Sequence, residues 1–423
     1  MLINHEPEPD WKNLTRLAFE LMAKERTTTA VKTITRKRKI SVSETPSTSS
    51  AKETSSSVIS TNTVKTLTSA SYQALSTTFN QMSETKKWKL KDGIYTEDLL
   101  YDYAISRKRE DLSHSFVINM NDSQLKVKFE EHWCIVNNKN TKILPSIPAD
   151  LSTHLMEIST LKTYKELDSL KNYCFYEQKH LYVSTECLRT VINTYRNGFF
   201  SRTKLLEVDI LVNIWTIVDQ VINSYDLQAK RGEPSSVSSS ARRNRDRTIE
   251  GMQRKKVGRK NDLIICSKSG IELGCGEAGL DPEEFDTKVI VESSLKTPKT
   301  MHDMFIRLCR SVDNKQEVIK KLQVVGLVFS RCKIRMLIMD CPDGYVCRLR
   351  GTTAAGFNGE EKALGLDLYK VYQLIWMAME VCKEVESIVQ SNRSTAAIKF
   401  DSDDNHADDE VYLPDCLRSP KRD

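Results

Sequence analysis

The sequence predicts an α/β fold, a mixed sheet flanked by helices, with a helical N-terminal extension and disordered ends. Three observations predict it. From about residue 200 the chain alternates helix, long connection, strand, strand, helix, strand, strand, helix, the pattern of a layered α/β unit. The strand-like runs are short, rich in β-branched residues and closed by turn residues, as at Pro342-Asp343-Gly344. The two ends differ in composition from the middle. Residues 41–70 hold seventeen Ser/Thr in thirty positions, and the run after Phe400 (DSDDNHADDE) is strongly acidic.

Taken in order, residues 1–84 read as a largely disordered Ser/Thr-rich region, because few apolar groups are present to offset chain entropy. It carries the basic cluster Arg36-Lys37-Arg38-Lys39, of nuclear-import type, which points to the nucleus, with the cytoplasm as the alternative. Residues 85–199 read as mainly helical. A helix is expected from about Thr96 and a short buried strand at 114–118. Apolar residues then recur every three or four positions (Leu151, Leu155, Ile158, Leu161). The α/β core spans 200–392. Its first helix, 203–225, is apolar on nearly every face, as a central buried helix should be. A basic connection follows at 228–260. A hairpin is expected from strands at 262–267 and 271–278 around Lys268-Ser269-Gly270. Pro298 punctuates the start of a helix bearing Met301, Met304, Phe305 and Leu308. Strands at 324–329, 334–339 and 345–349 precede a last helix over 364–389. Residues 393–423 read as an acidic disordered tail.

Composition sets outer bounds. The 423 residues allow two or three domains, and a 39% hydrophobic share leaves part of the chain without a core. The N-terminus lacks a basic region followed by an apolar one, so it does not read as a secretory signal. No apolar run approaches the ~18 residues needed to span a bilayer, so no membrane partner is expected. Eleven cysteines occur without a C-x-x-C pair, which fits reduced, mostly buried thiols rather than a disulfide framework or zinc site. There is no G-x-S-x-G, no P-loop and no G-x-G-x-x-G.

The segment from Lys260 to Gly279 (KNDLIICSKSGIELGCGEAG) carries the chemistry. Asp262 opens the first strand and Glu277 ends the second, so a hairpin would hold the two carboxylates together. Oxygen ligands of this kind suit Mg²⁺, a hard cation that activates water against a phosphodiester. Asp262 and Glu277 are therefore the expected metal ligands. Such a site also needs a cation two residues past the second acid, on the same strand face. That residue is Gly279. A lysine of the following segment would have to serve instead: Lys288, Lys296 or Lys299. Lys296, just before the Pro298 helix, completes the candidate catalytic set with Asp262 and Glu277. The alternative is that these lysines are surface charges. Glu272 rivals Glu277 but points to the opposite face by alternation, unless a bulge near Gly274 or Gly276 intervenes.

The connection 228–260 holds eleven Lys/Arg against three Asp/Glu. Arg242, Arg243, Arg245, Arg247, Arg254, Lys255, Lys256, Arg259 and Lys260 would follow a phosphate backbone, binding nucleic acid weakly and without sequence preference. Little aromatic interleaving is present, so base stacking is not indicated. A solvated linker or a second import signal is the alternative.

The order of elements over residues 200–390 resembles the core of the restriction-endonuclease-like, PD-(D/E)-x-K nuclease superfamily. Asp262 matches its first motif position and Glu277 its second; Gly279 departs at the third. The resemblance also implies a further acid from the first core helix, where Glu207 falls; Glu233 is a weaker candidate. Several phrases between residues 86 and 390 resemble a large family of fungal proteins without an assigned activity. Among them are Trp88-Lys-Leu-Lys-Asp-Gly, His114-Ser-Phe-Val-Ile, Glu272-Leu-Gly-x-x-Glu277 and Leu295-Lys-x-Pro-Lys. Together these readings imply a nucleic-acid-associated protein with a nuclease-like fold whose Mg²⁺-dependent catalysis is lost or altered. The competing expectation is a non-catalytic interaction protein whose basic stretch docks a partner or directs import.

Overall fold

The chain divides into residues 1–59 and one compact unit, residues 60–423. The computed structural model describes residues 66–202, 205–245, 247, 254–279, 295–398 and 411–419, with side chains of the last helix to residue 392. The cluster at 36–39, Lys288 and the acidic run 401–410 lie outside the described residues.

Among the described residues, eight strands form one mixed sheet. They are β1 (Val117–Asn119), β2 (Gln228–Arg231), β3 (Leu263–Cys266), β4 (Glu272–Gly279), β5 (Val324–Ser330), β6 (Lys333–Asp343), β7 (Val346–Gly351) and β8 (Ala355–Gly356). The spatial order is β1-β7-β6-β5-β4-β3-β2, with β8 on β6. The pairs β1/β7 and β4/β5 are parallel and the others antiparallel. Buried residues run almost continuously through β4, β5 and β7, as expected for strands covered on both faces.

The helices are α1 (Ser69–Asn80), α2 (Thr96–Ser106), α3 (Ser123–Phe129), α4 (Trp133–Asn138), α5 (Ala149–Thr160), α6 (Tyr164–Asp168) and α7 (Lys179–Arg196). They continue as α8 (Glu207–Asn213), α9 (Thr216–Ser224), α10 (Val237–Arg243), α11 (Thr297–Ser311), α12 (Gln316–Ile319) and α13 (Leu364–Ile398). The parallel pair β4/β5 requires a crossover, and α11 lies within it. Strand alternation separates the two faces of the sheet. Gly326 of β5 looks toward Met301 of α11, while Phe329, three residues on, packs against Trp215 at the α8/α9 junction. Buried Met301, Met304, Phe305 and Leu308 hold α11 to the sheet, each contributing about 1.5–3 kcal/mol by leaving water.

Four expectations are corrected. The N-terminal region is ordered well before residue 84. Thr68 caps α1 by accepting from the Ser71 N–H, and Phe79 stacks on Tyr101 at 4.1 Å between centroids. The single helix expected over 203–225 is two. The break at Ile214-Trp215 lets the Trp215 indole N–H donate to the Arg331 carbonyl at 2.9 Å. The strand expected at 114–118 begins only at Val117, because Asp111 and His114 form a capping box that winds 112–115 into a 3₁₀ turn. The tail is not disordered throughout: Val411, Leu413, Cys416 and Leu417 are buried.

The N-terminal helices are part of the same body as the sheet. β1 adds an edge strand to β7. Arg348 of β7 is fully buried. It pairs with Asp340 and donates to the carbonyls of Val136, Asn137 and Lys139 at 2.7–3.0 Å. Those carbonyls cluster at the C-terminal end of α4, where the helix itself offers no donors.

Candidate functional site

β4 ends at the candidate site. In register, Cys275 lies beside Gly326 and Glu277 beside Val328, so Cys275 and Glu277 share the sheet face that α11 covers. The Cys275 thiol lies 4.0 Å from the Thr297 carbonyl, which confirms the face. Glu277 is 3% exposed, and its carboxylate meets a charged and a polar side chain from other elements. Lys296, at the N-cap of α11, brings Nζ to 2.6 Å from Oε2. Asn261, at the entrance to β3, donates from Nδ2 to Oε1 at 2.8 Å. That bond fixes the amide, and leaves the buried Asn261 Oδ1 without a partner among the described residues. A second orphaned oxygen, Thr297 Oγ1, lies one residue past the lysine.

Asp262 is half-buried beside this group. Its N–H donates to the Gly276 carbonyl at 3.1 Å, and its Oδ2 accepts from the Ala278 N–H at 2.7 Å. The β3/β4 register pairs Leu263 with Gly276, so Asp262 is the next residue out, beside Glu277. The hairpin expected from sequence thus brings Asp262 and Glu277 to adjacent strand ends, with Asn261 between α11 and the turn of the chain into β3. Gly279 offers only its carbonyl, which accepts from the Arg331 N–H at 3.1 Å. The cation beside the acid comes instead from Lys296.

Glu272 has a different task. A register shift between Ile265 and Cys266 intervenes, and the carboxylate accepts from Ser236 Oγ, the Val237 N–H, the Ser238 N–H and Ser238 Oγ at 2.5–3.0 Å. It caps α10. Lys299 is also elsewhere. It is buried, pairs with Glu110, and donates to the Leu417 carbonyl at 2.7 Å. Burial, opposed by the Glu110 charge, holds its ammonium below the ordinary lysine value. Glu233 forms an exposed pair with Lys260 at 2.8 Å, and Glu207 opens α8. Burial pushes the Cys275 thiol well up, so it is a packed thiol and no nucleophile. All eleven cysteines are free, eight of them buried.

The basic stretch is partly built into the fold: two of its arginines, Arg242 and Arg259, turn inward. Ser236 caps α10, and Arg242 of that helix is 7% exposed. Arg242 and Arg259 both pair with the fully buried carboxylate of Asp303, at 2.6 and 2.7 Å. A carboxylate on the inner helix α11 cannot stay charged in an apolar interior without such partners. Arg243 donates to the Val257 carbonyl, Arg245 to both oxygens of Asp415, and Lys260 to Glu233. Those three donors, with Arg247, Arg254, Lys255 and Lys256, are exposed.

Asn261 was not singled out by sequence reasoning; its only signal was an amide next to an acid at a strand entrance. Among the described residues no three His, Cys, Asp or Glu side chains are grouped to hold a metal, and no helix is long and apolar enough to cross a membrane. Comparison of the chain with family models, with curated proteins and with solved structures finds no match.

Proposed function

We propose that this protein acts on nucleic acid through an Mg²⁺-dependent phosphodiester-hydrolase site of altered design, in which Lys296 stands in for the lysine missing at Gly279. The observation that carries this reading is the 2.6 Å contact between Lys296 Nζ and Glu277 Oε2. The surrounding order supports it. A helix (α9) precedes three antiparallel strands (β2, β3, β4), with α10 inserted between β2 and β3, then a helix (α11) and a strand (β5) parallel to the third. That succession is the one expected of the restriction-endonuclease-like core.

The donor set fits a hard cation. Asp262 and Glu277 would hold it, and the orphaned carbonyl oxygen of Asn261 would be a further oxygen ligand beside them. Bound there, Mg²⁺ would supply an activated water and charge neutralisation. Asn261 orients the Glu277 carboxylate. Lys296 offsets the negative charge that grows on the scissile phosphate. The exposed cations Arg254, Lys255 and Lys256 offer non-specific attraction to a phosphate backbone.

The test is cleavage of single- and double-stranded DNA and RNA by the full chain across an Mg²⁺ titration, beside Glu277→Gln. Cleavage that needs Mg²⁺ and is lost in the variant is expected. No cleavage of any of the four, or equal cleavage by the variant, would overturn the reading. The non-catalytic alternative is favoured by one observation: Arg242 and Arg259 serve Asp303, so part of the basic stretch is architectural.

A further inference from the structure

A second site, independent of the carboxylates, lies along α11. A cavity of about 280 Å³ opens between α10, the far half of α11 and the segment 411–419. Its charged lining is Arg242, Arg245, Arg307, Arg310, Asp303 and Asp415. Four guanidiniums face two carboxylates, an excess of two positive charges, and Asp303 is further shared with Arg259. Arg307 and Arg310 make no ion pair among the described residues. Like charges gathered this closely repel, and an anion placed among them relieves that repulsion. Burial and the neighbouring Arg245 push Arg310 below its ordinary value, with Asp415 opposing.

The chain itself supplies a stand-in for such an anion. Asp415 grips Arg245 through both oxygens, at 2.5 and 2.9 Å, in the bidentate fashion that guanidinium offers carboxylate and phosphate alike. Apolar walls from Val237, Ala241 and Ile306 give the cavity room beside the charges.

We propose that this cavity is a phosphate-binding site, formed by Arg245, Arg307 and Arg310, in which Asp415 competes with the incoming phosphate for Arg245. The site is distinct from Glu277. Arg307 and Arg310 lie eleven and fourteen residues past Lys296 on the same helix, about 20 Å away at helical rise. Two sources carry the same chemistry: a free phosphate group, or a phosphate of a nucleic-acid backbone.

Calorimetric titration of the full chain, in EDTA so that hydrolysis plays no part, tests the assignment. The probes are inorganic phosphate and a 12-nucleotide DNA strand, with and without a 5′-phosphate. Saturable binding that weakens about tenfold for each of Arg307→Gln and Arg310→Gln is expected, the worth of one charge-assisted hydrogen bond. Asp415→Asn should tighten binding. Both arginines are exposed, and Arg245–Asp415 is a partly exposed pair, so these variants should fold. Inorganic phosphate binding, together with strand binding that needs the 5′-phosphate, supports the site and identifies a free phosphate group. Strand binding regardless of the 5′-phosphate supports the site and identifies the backbone. No saturable binding of any probe, or affinities unchanged in Arg307→Gln and Arg310→Gln, overturns the site. No tightening in Asp415→Asn overturns the competition assigned to that residue.

Discussion

Lys296 and Glu277 meet although they lie on different elements, the lysine at the mouth of α11 and the acid at the end of β4. Strand alternation puts Glu277 on the face that α11 covers, and the helix begins directly above it. A lysine two residues after the acid would have reached the same face from the strand. Here the start of the helix provides the charge.

If Lys296 stabilises charge on a phosphate, Lys296→Ala should lower the cleavage rate by about 10²–10³-fold, the usual cost of removing one electrostatic stabiliser from a transition state. Its partner Glu277 is buried, so the variant should also lose about 1–3 kcal/mol of stability, the cost of leaving a buried carboxylate short of a partner. Rates measured with Mg²⁺ saturating, beside a urea melt, check both halves. A variant that cleaves at the wild-type rate would remove Lys296 from the site.

Asn261 offers a test that needs no activity. Asn261→Ala withdraws the donor from a buried carboxylate and should cost about 1–3 kcal/mol. Asn261→Asp sets a second carboxylate against Glu277 and should destabilise the chain more. Added Mg²⁺ should then raise the melting temperature of Asn261→Asp further than that of the wild type, because binding to the folded state alone stabilises it. An equal response of the two proteins to Mg²⁺ would argue against a cation at this place.

The basic stretch should separate into two groups. Arg242→Ala leaves Asp303 with one partner in a buried setting, and a destabilisation of about 3–5 kcal/mol is expected in denaturant melts. Replacing Arg254, Lys255 and Lys256 together by Ala should leave stability unchanged. If those cations neutralise phosphates, it should also flatten the salt dependence of DNA binding, by about 0.9 in the logarithmic slope for each phosphate no longer neutralised. An unaltered slope would fit the reading in which the stretch serves docking or import.

His302 sets a pH dependence. It is fully buried on α11 against Cys416, and burial, with Arg242, Arg259 and Lys299 adding to it and Asp303 opposing, pushes its pKa down to about 4. Above its ordinary value of 6.5 the imidazole is neutral in folded and unfolded chains alike. As pH falls from 6.5 toward 4, the unfolded chain takes up a proton that the folded chain refuses, so stability declines by up to about 3 kcal/mol and then levels. Denaturant melts at about pH 7, 5.5 and 4.5 should show a shallower decline for His302→Gln. An identical decline would assign it to other groups.

The hairpin was legible because its signals are local. Alternation set the strands, and the turn needs a glycine at Gly270, where φ is +80°. The α11 start was legible from Pro298 in its first turn. What stayed hidden depends on distance. Arg242 and Asp303 are 61 residues apart, β1 and β7 some 230, and nothing in composition distinguishes an arginine that serves a buried carboxylate from one that meets solvent. Thr68 shows the same limit: a Ser/Thr-rich run reads as disorder until one of its members caps a helix. At the site, the sequence offered three lysines for one role, and only the depth of the α11 start against β4 chose among the two described, Lys296 and Lys299.

That depth is an adjustable dimension of the molecule. Gly326 on β5 is the seat on which α11 rests: a Cβ there would come within 2.6 Å of Met301 Sδ. Because the methionine end is pliant, it would give way first, and a larger residue at Gly326 would press on the helix whose start carries Lys296. The spacing between Lys296 and Glu277 therefore rests in part on a glycine that touches neither charged group.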